Sequence, residues 1–334
     1  MRRKKRDSER LNLCRFTFLI ISFMCFCFYP RLNVLCEEKD ETPPEIKVEI
    51  TDADKEFTRD VRKATVIITD NKMKGSINKE YVFKEGKDSF HITVKDAAGN
   101  ESTFKSDVYI QDYTAPSLNV TGIGDNQIIN GEFNVSISAL DEWLDKEKSY
   151  VWIKGKKSLK SYEYHFDESA VINICDDASF PDDYYTLFIF LSDRAGNMSE
   201  SEISFTINKN GSRFETDDKN REILGLYTKE VKDFCITEKN LSRVDASRIL
   251  FTLNARVIDL KEGKDYIIKE TKDEEGYTYT YIFNDELFIK DGIYTISVKT
   301  KDEAGNVNDT RLNKETDEIR FAVKKEGKAS YNKK

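Results

Sequence analysis

The chain has few of the residues on which catalysis and covalent cross-linking depend. Its 334 residues include only two histidines, His91 and His165, which lie in separate parts of the sequence. An active site needs a nucleophile, a base and an orienting group in one cleft, so we expect no catalysis. Of six cysteines only Cys175 and Cys235 follow residue 36. We therefore predict no disulfide framework and two free, mostly buried thiols.

The chain also has no apolar run of about 20 residues at its start, which is the length that a membrane-spanning helix needs. The apolar run at 16–29 has 14 residues and follows a stretch with six lysines and arginines among the first ten residues. A basic segment before a short apolar run is typical of an export signal. We expect residues 1–36 to be a signal peptide or, if uncleaved, a membrane anchor, and the rest of the chain to be extracellular or at the cell surface.

Basic residues are outnumbered in the body of the protein. The chain has 53 lysines and arginines against 61 acidic residues, and without residues 1–36 the balance is 45 against 59, a net charge of −14. An acidic body repels nucleic acid and anionic lipid. We expect neither as a partner, and membrane contact only through the N-terminal segment. The partner left open is an unknown protein or polysaccharide at the cell surface.

One pattern, D-x-A-G-N, occurs three times, at 96–100, 193–197 and 302–306. The intervals of 97 and 109 residues are close to the length of one immunoglobulin-like sandwich. Strands that alternate apolar and polar residues lead into each copy and follow it. The glycine suits a positive φ, and the Asp and Asn side chains suit local hydrogen bonds. We predict a structural turn role for Asp96, Gly99, Asn100, Asp193, Gly196, Asn197, Asp302, Gly305 and Asn306.

Short alternating strands separated by turn residues predict an all-β chain of tandem sandwiches. A segment at 210–245 is highly charged and lacks a proline-led first strand, so we interpret it as a linker with a helical turn or two. The predicted divisions are 1–36 signal or anchor, 42–113 first domain, 114–209 second domain, 210–327 linker plus third domain, and 328–334 charged tail.

The D-x-A-G-N copies and the junction Asp112-Tyr-Thr-Ala-Pro116 resemble the bacterial immunoglobulin-like repeat domains of Gram-positive cell-surface proteins. The resemblance covers residues 42–325. It implies tandem immunoglobulin-like β-sandwiches after the N-terminal signal or anchor helix. It also implies an exported surface protein that acts as a structural stalk or interaction module. The alternative is a carbohydrate-binding or host-binding adhesin.

Candidate ligand sites are sparse. Asp112, Asp96 and Asn100 could meet at a domain junction, but no loop has the acidic spacing of a calcium loop, so we predict no metal and no cofactor. Trp143, Tyr150 and Trp152 form an aromatic cluster that is either a ligand platform or part of the core. If 150–152 is a strand, Tyr150 and Trp152 share one face, and either face could be buried.

Overall fold

The structure is a computed structural model that describes residues 39–167, 169–175, 180–311 and 319–325. The predicted signal or anchor segment 1–36 and the charged tail 328–334 lie outside these residues. In the described part, no helix has both the length and the apolar character needed to cross a bilayer. Nearly all regular elements are β-strands, which confirms the all-β prediction.

The first sandwich contains strands β1 to β8. Their bounds are Glu45–Ile50, Phe57–Thr58, Lys63–Thr69, Ile77–Val82, Gly86–Asp88, His91–Lys95, Glu101–Lys105 and Tyr109–Gln111. The sheets have the orders β1-β3-β4, β2-β8-β5 and β6-β7. Alternation in β3 turns three apolar side chains inward, which join aromatic residues from other strands and loops. The buried core consists of Ala64, Val66, Ile68, Phe83, Phe90 and Tyr109.

The second sandwich contains strands β9 to β16. Their bounds are Ser117–Thr121, Gln127–Ile129, Asn134–Leu140, Tyr150–Gly155, Ser161–His165, Val171–Cys175, Asp183–Ser192 and Met198–Ile207. A five-stranded sheet, β10-β16-β15-β12-β13, and a three-stranded sheet, β14-β11-β9, supply the core between them. The strand before the second motif copy, β15, buries every second residue from Tyr185 to Leu191, as its alternation predicts.

The third sandwich contains β17 to β26, the helix α1 and the 3₁₀ turn η1. The strands are Arg213–Glu215, Tyr227–Thr228, Cys235–Asn240, Val244–Leu253, Arg256–Ile258, Tyr266–Asp273, Gly276–Phe283, Gly292–Asp302, Val307–Asp309 and Ile319–Val323. Between β17 and β18 lies α1 (Asp218–Ile223), and η1 (Asp285–Phe288) precedes β24. The sheets are β17-β19-β23-β22 and β18-β26-β24-β20-β21, with β25 paired to β24.

The segment 210–245 is more than the linker that the sequence suggested. Its strands β17 and β19 pair with each other, and β19 also pairs with β23, so the segment supplies part of one sheet of the third sandwich. It also contains the expected helical turns in α1, whose N-cap Asp217 accepts a hydrogen bond from the Asn220 amide at 2.7 Å. The charges misled the interpretation because most of them lie on exposed positions around buried residues such as Phe214 and Ile236.

Both cysteines of the described chain are free, but the expectation of burial is wrong for Cys175. The edge strand β14 turns Ile172 and Ile174 inward, so the alternation leaves Cys175 exposed at the strand end. Cys235 is half-buried, and burial raises the pKa of its thiol.

Candidate functional site

The D-x-A-G-N motif forms the same tight turn in all three copies. In the second copy the backbone N–H of Asp193 donates to the Asn197 carbonyl at 3.0 Å, and the backbone N–H of Asn197 donates to Asp193 Oδ1 at 2.8 Å. The glycines Gly99, Gly196 and Gly305 have φ values of 100°, 91° and 90°, a region that side-chain-bearing residues avoid. The first and third copies make the same two hydrogen bonds, between Asp96 and Asn100 and between Asp302 and Asn306.

The asparagine of each copy also holds the segment that enters its own sandwich. Asn197 Nδ2 donates to the Asp112 carbonyl at 2.8 Å and the Thr114 carbonyl at 3.4 Å, and to Asp193 Oδ2 at 2.7 Å. We call this arrangement the asparagine clamp. It ties a turn to a chain segment about 85 residues earlier, at the boundary between two sandwiches.

The clamp recurs in the other two copies with the same atoms. Asn100 Nδ2 donates to the Asp40 carbonyl at 3.1 Å and the Thr42 carbonyl at 3.4 Å. Asn306 Nδ2 donates to the Asn208 carbonyl at 2.8 Å. Sequence reasoning missed the clamp, because it treated the asparagine only as a turn former.

A serine two residues after the asparagine reinforces the first two clamps. The Ser199 hydroxyl donates to the Pro116 carbonyl at 2.6 Å, and the Ser102 hydroxyl donates to the Pro44 carbonyl. In the third copy this position is Asn308, whose side-chain oxygen accepts from the Ser212 amide at 2.8 Å. Each clamp thus has at least two points of attachment to its entry segment.

The first and second sandwiches meet through aromatic and cationic side chains near the second clamp. The Phe57 ring lies edge-on to the Trp143 ring, with centroids 5.6 Å apart, and Lys87 Nζ lies 4.8 Å from the Trp143 centroid. Arg59 donates to the carbonyl of Gly196 in the motif turn at 2.9 Å. A cavity of about 410 Å³ opens beside this contact and is lined in part by Asp112 and Trp143.

The second and third sandwiches are joined by polar contacts. The Tyr184 hydroxyl donates to the Leu241 carbonyl at 2.7 Å. The turn of the β22–β23 hairpin reaches back to the second sandwich, where Lys157 Nζ lies 2.7 Å from Glu275 Oε2. Both junctions therefore combine a clamp with at least one further contact.

Three carboxylates converge at each of the first two clamps. One oxygen from each of Asp112, Asp141 and Asp193 lies within 4.8 Å of the others, and Asp40, Asp70 and Asp96 form a similar group. The structure thus separates Asp112 from Asp96 and Asn100, which the sequence had placed together as a possible set. Each group offers three of the six to eight oxygen ligands that calcium takes, so these are the residues that can contribute to holding a cation.

The group at the second clamp has unfavourable electrostatics. Asp112 and Asp193 are buried, and none of the three carboxylates has an ion pair with a described lysine or arginine. Burial, with a contribution from Asp193, raises the pKa of Asp112 above its usual range. Burial, with contributions from Asp112 and Asp193, also raises the pKa of Asp141. Burial and the neighbouring like charges thus both disfavour the ionised forms of Asp112 and Asp141.

In the third clamp the side-chain amide of Asn208 stands where the first two clamps have the carboxylates of Asp40 and Asp112. The buried Asn208 Nδ2 donates to Asn240 Oδ1 at 2.7 Å and lies 3.3 Å from Asp302 Oδ2. Asn240 Nδ2 donates to the same Asp302 oxygen at 2.9 Å. The Asp302 carboxylate therefore accepts side-chain hydrogen bonds from both asparagines.

The predicted aromatic cluster is divided between two places. Trp143 belongs to the contact with the first sandwich. Tyr150 and Trp152 lie on the outer face of the five-stranded sheet, where Trp152 is 38% exposed, so core packing is not their role. Their ring partners are Phe190 at 5.4 Å and Phe188 at 6.2 Å.

Comparisons with known proteins give no family and no relative. No family model and no curated protein matches the chain. Among solved structures, the tetra-tandem repeat in the extending region of a large adhesion protein is 14% identical, with 86% of this chain and 76% of that chain covered and a TM-score of 0.41. The Dpr2 Ig1-Ig2 and DIP-Theta Ig1-Ig3 complex is 9% identical, with 80% of this chain and 97% of that chain covered and a TM-score of 0.43. A structure from a 1.5-MDa bacterial ice-binding adhesin is 12% identical, with 81% of this chain and 96% of that chain covered and a TM-score of 0.29. Scores this low transfer no activity or partner to this chain.

Proposed function

We propose that this chain is a structural stalk or interaction module of an exported cell-surface protein, in which asparagine clamps fix the angle between successive immunoglobulin-like domains. The observation that carries the proposal is the repetition of the clamp: Asn100, Asn197 and Asn306 each hold the segment that enters their own sandwich. A chain that only needed a turn would not require the same side-chain amide to reach the linker three times.

We propose that the domains follow the boundaries 42–113, 114–209 and 210–327. The composition of the sheets supports this division, because each sheet draws its strands from β1 to β8, from β9 to β16 or from β17 to β26. The apolar clusters of the described residues follow the same grouping. Export is supported by the basic and apolar segments at the start of the sequence.

Small-angle scattering of the full chain tests the stalk proposal. A single compact domain of 334 residues would have a radius of gyration of about 20 Å. Three sandwiches in a row should give a clearly larger radius, and the Asn197→Ala variant should give a broader distribution of shapes. The matched control is Asn119→Ala, an exposed asparagine in the same sandwich. A radius near the compact value would contradict a stalk.

A further inference from the structure

The outer face of the second sandwich carries two ordered rows of side chains across four strands. Residues directly opposite each other in antiparallel pairs point to the same side of a sheet. The pairings of β13, β12, β15 and β16 therefore place four side chains in each row. The rows are Glu163, Trp152, Phe188 and Glu202, and His165, Tyr150, Phe190 and Glu200.

Each row has aromatic rings in the middle and a carboxylate at an end. The rings of Tyr150 and Phe190 stack at 24° with centroids 5.4 Å apart, and those of Trp152 and Phe188 are tilted by 45° at 6.2 Å. Because the rings of Tyr150 and Phe190 stack on each other, they form a stripe in which each ring leaves only its outer side and its edges open. A flat sugar ring, which stacks on an uncovered aromatic face, fits this stripe poorly.

The carboxylates beside the stripe are available to a cation. The carboxylates of Glu200 and Glu202 are exposed and have no ion pair or hydrogen bond with any described residue. Among the described residues, the Glu163 carboxylate contacts His165 Nε2 at 3.4 Å. The Lys154 ammonium lies 5.8 Å from the Trp152 ring centroid, so the face already attracts one ammonium of its own chain. Three glutamates against one lysine leave the face negative, which disfavours a second copy of the same face.

The spacing of the rows indicates the form of the partner. The rows are two residues apart along each strand, which is about 7 Å at about 3.4 Å per residue. Side chains at i and i+2 of an extended peptide have the same separation. Ammonium and guanidinium groups bind both aromatic rings and carboxylates, whereas neutral groups gain little from Glu200 and Glu202.

We propose that this aromatic and acidic face binds an extended lysine- or arginine-rich peptide segment, with basic side chains at i and i+2 seated on the two rows. The proposal goes beyond the stalk role and does not depend on it, because the face belongs to a single sandwich and includes no clamp residue.

The test measures binding of the full chain to a dye-labelled peptide, acetyl-(Lys-Thr)₄-amide, by fluorescence anisotropy at about 0.1 M salt, where distant charges are largely screened. The double variant Glu200→Gln with Glu202→Gln should weaken binding about tenfold, and Trp152→Ala by a similar factor. The matched control, Glu222→Gln with Glu286→Gln, removes two exposed charges from the third sandwich, and should change binding less than about twofold.

A second peptide tests the spacing. A blocked sequence of two lysines, two threonines, two lysines and two threonines has the same charge but no two lysines at i and i+2, so it cannot seat lysines on both rows at once and should bind more weakly. The proposal is overturned by an equal loss in the control variant, by equal binding of the blocked peptide, or by no binding of either peptide. Displacement of the bound peptide by a neutral oligosaccharide such as cellohexaose would likewise overturn it in favour of a sugar site. The glutamate substitutions are at exposed positions, and unchanged melting curves would verify that each variant is folded.

Discussion

Replacing Asp112 by asparagine should stabilise the second sandwich, because the third clamp already has an asparagine, Asn208, at the corresponding position. Asn208 occupies the place of Asp112 in the third clamp. Asn197 Nδ2 donates to the Asp112 carbonyl, and Asn306 Nδ2 donates to the Asn208 carbonyl, both at 2.8 Å. Asp112 Oδ1 accepts from the Thr114 amide at 3.0 Å. In Asp112→Asn the side-chain oxygen can keep this bond, while the new Nδ2 faces the other carboxylates as a donor.

The magnitude follows from the distance between the charges. Two like charges 4.8 Å apart repel by about 3.5 kcal/mol at an effective dielectric constant of about 20. Solvent in the neighbouring cavity reduces the relief to about 1–2 kcal/mol. In a domain of this size, that gain corresponds to a rise in Tm of about 5–10 °C.

The assay is a thermal melt of the full chain at pH 7 with EDTA present, so that no divalent cation neutralises the carboxylates. Fluorescence of Trp143, which lies at the same junction, reports on the transition. Asp107→Asn is the matched control, because Asp107 is exposed and belongs to the first sandwich. An unchanged or lowered Tm in Asp112→Asn would refute the view that like charges destabilise this junction.

Three further predictions concern pH, the motif turn and the third sandwich. Because burial raises the pKa of Asp112 and Asp141, the folded chain takes up protons before the unfolded chain as the pH falls. The Tm advantage of Asp112→Asn over the parent should therefore shrink as the pH falls from 7 toward the ordinary aspartate pKa of about 4, and a constant difference would count against this. Gly196→Val should lower the free energy of unfolding of the second sandwich by about 1–3 kcal/mol, measured in urea. An added Cβ meets no atom within 4 Å, so unchanged stability would mean that the positive φ is not strained. Glu238→Ala should cost the third sandwich at least about 2 kcal/mol of unfolding free energy, and Glu238→Gln less. The reason is that the fully buried carboxyl group accepts three hydroxyl hydrogen bonds, among them that of Tyr281 at 2.6 Å. Equal stability of both variants in denaturant melts would argue against this role.

The sequence predicts the strands better than it predicts the junctions. Alternation locates β15, and the D-x-A-G-N motif locates the positive-φ glycine that follows it, because both signals depend on neighbouring residues. The clamp depends on a contact between Asn197 and a carbonyl 85 residues earlier, and no local pattern encodes it. The convergence of Asp112 with Asp141 is hidden for the same reason.

The remaining differences have equally physical causes. The charged segment 210–245 reads as a linker because its buried positions are few, yet pairing of β17 with β19 makes it part of a sheet. Trp143 and Trp152 are close in sequence, but a loop separates them and one belongs to a junction while the other lies on a strand face. Composition alone does not distinguish these two environments.

The central claim, that the asparagine clamp fixes the angle between sandwiches, is tested most directly by a distance distribution across the first junction. Nitroxide labels are placed at Asn78→Cys in the first sandwich and at the native, exposed Cys175 in the second, with the other cysteines replaced by serine. Pulsed electron resonance should give one narrow distance peak in this parent and in Asn119→Ala, and a clearly broadened distribution in Asn197→Ala. A distribution in Asn197→Ala as narrow as that of the parent would contradict the claim.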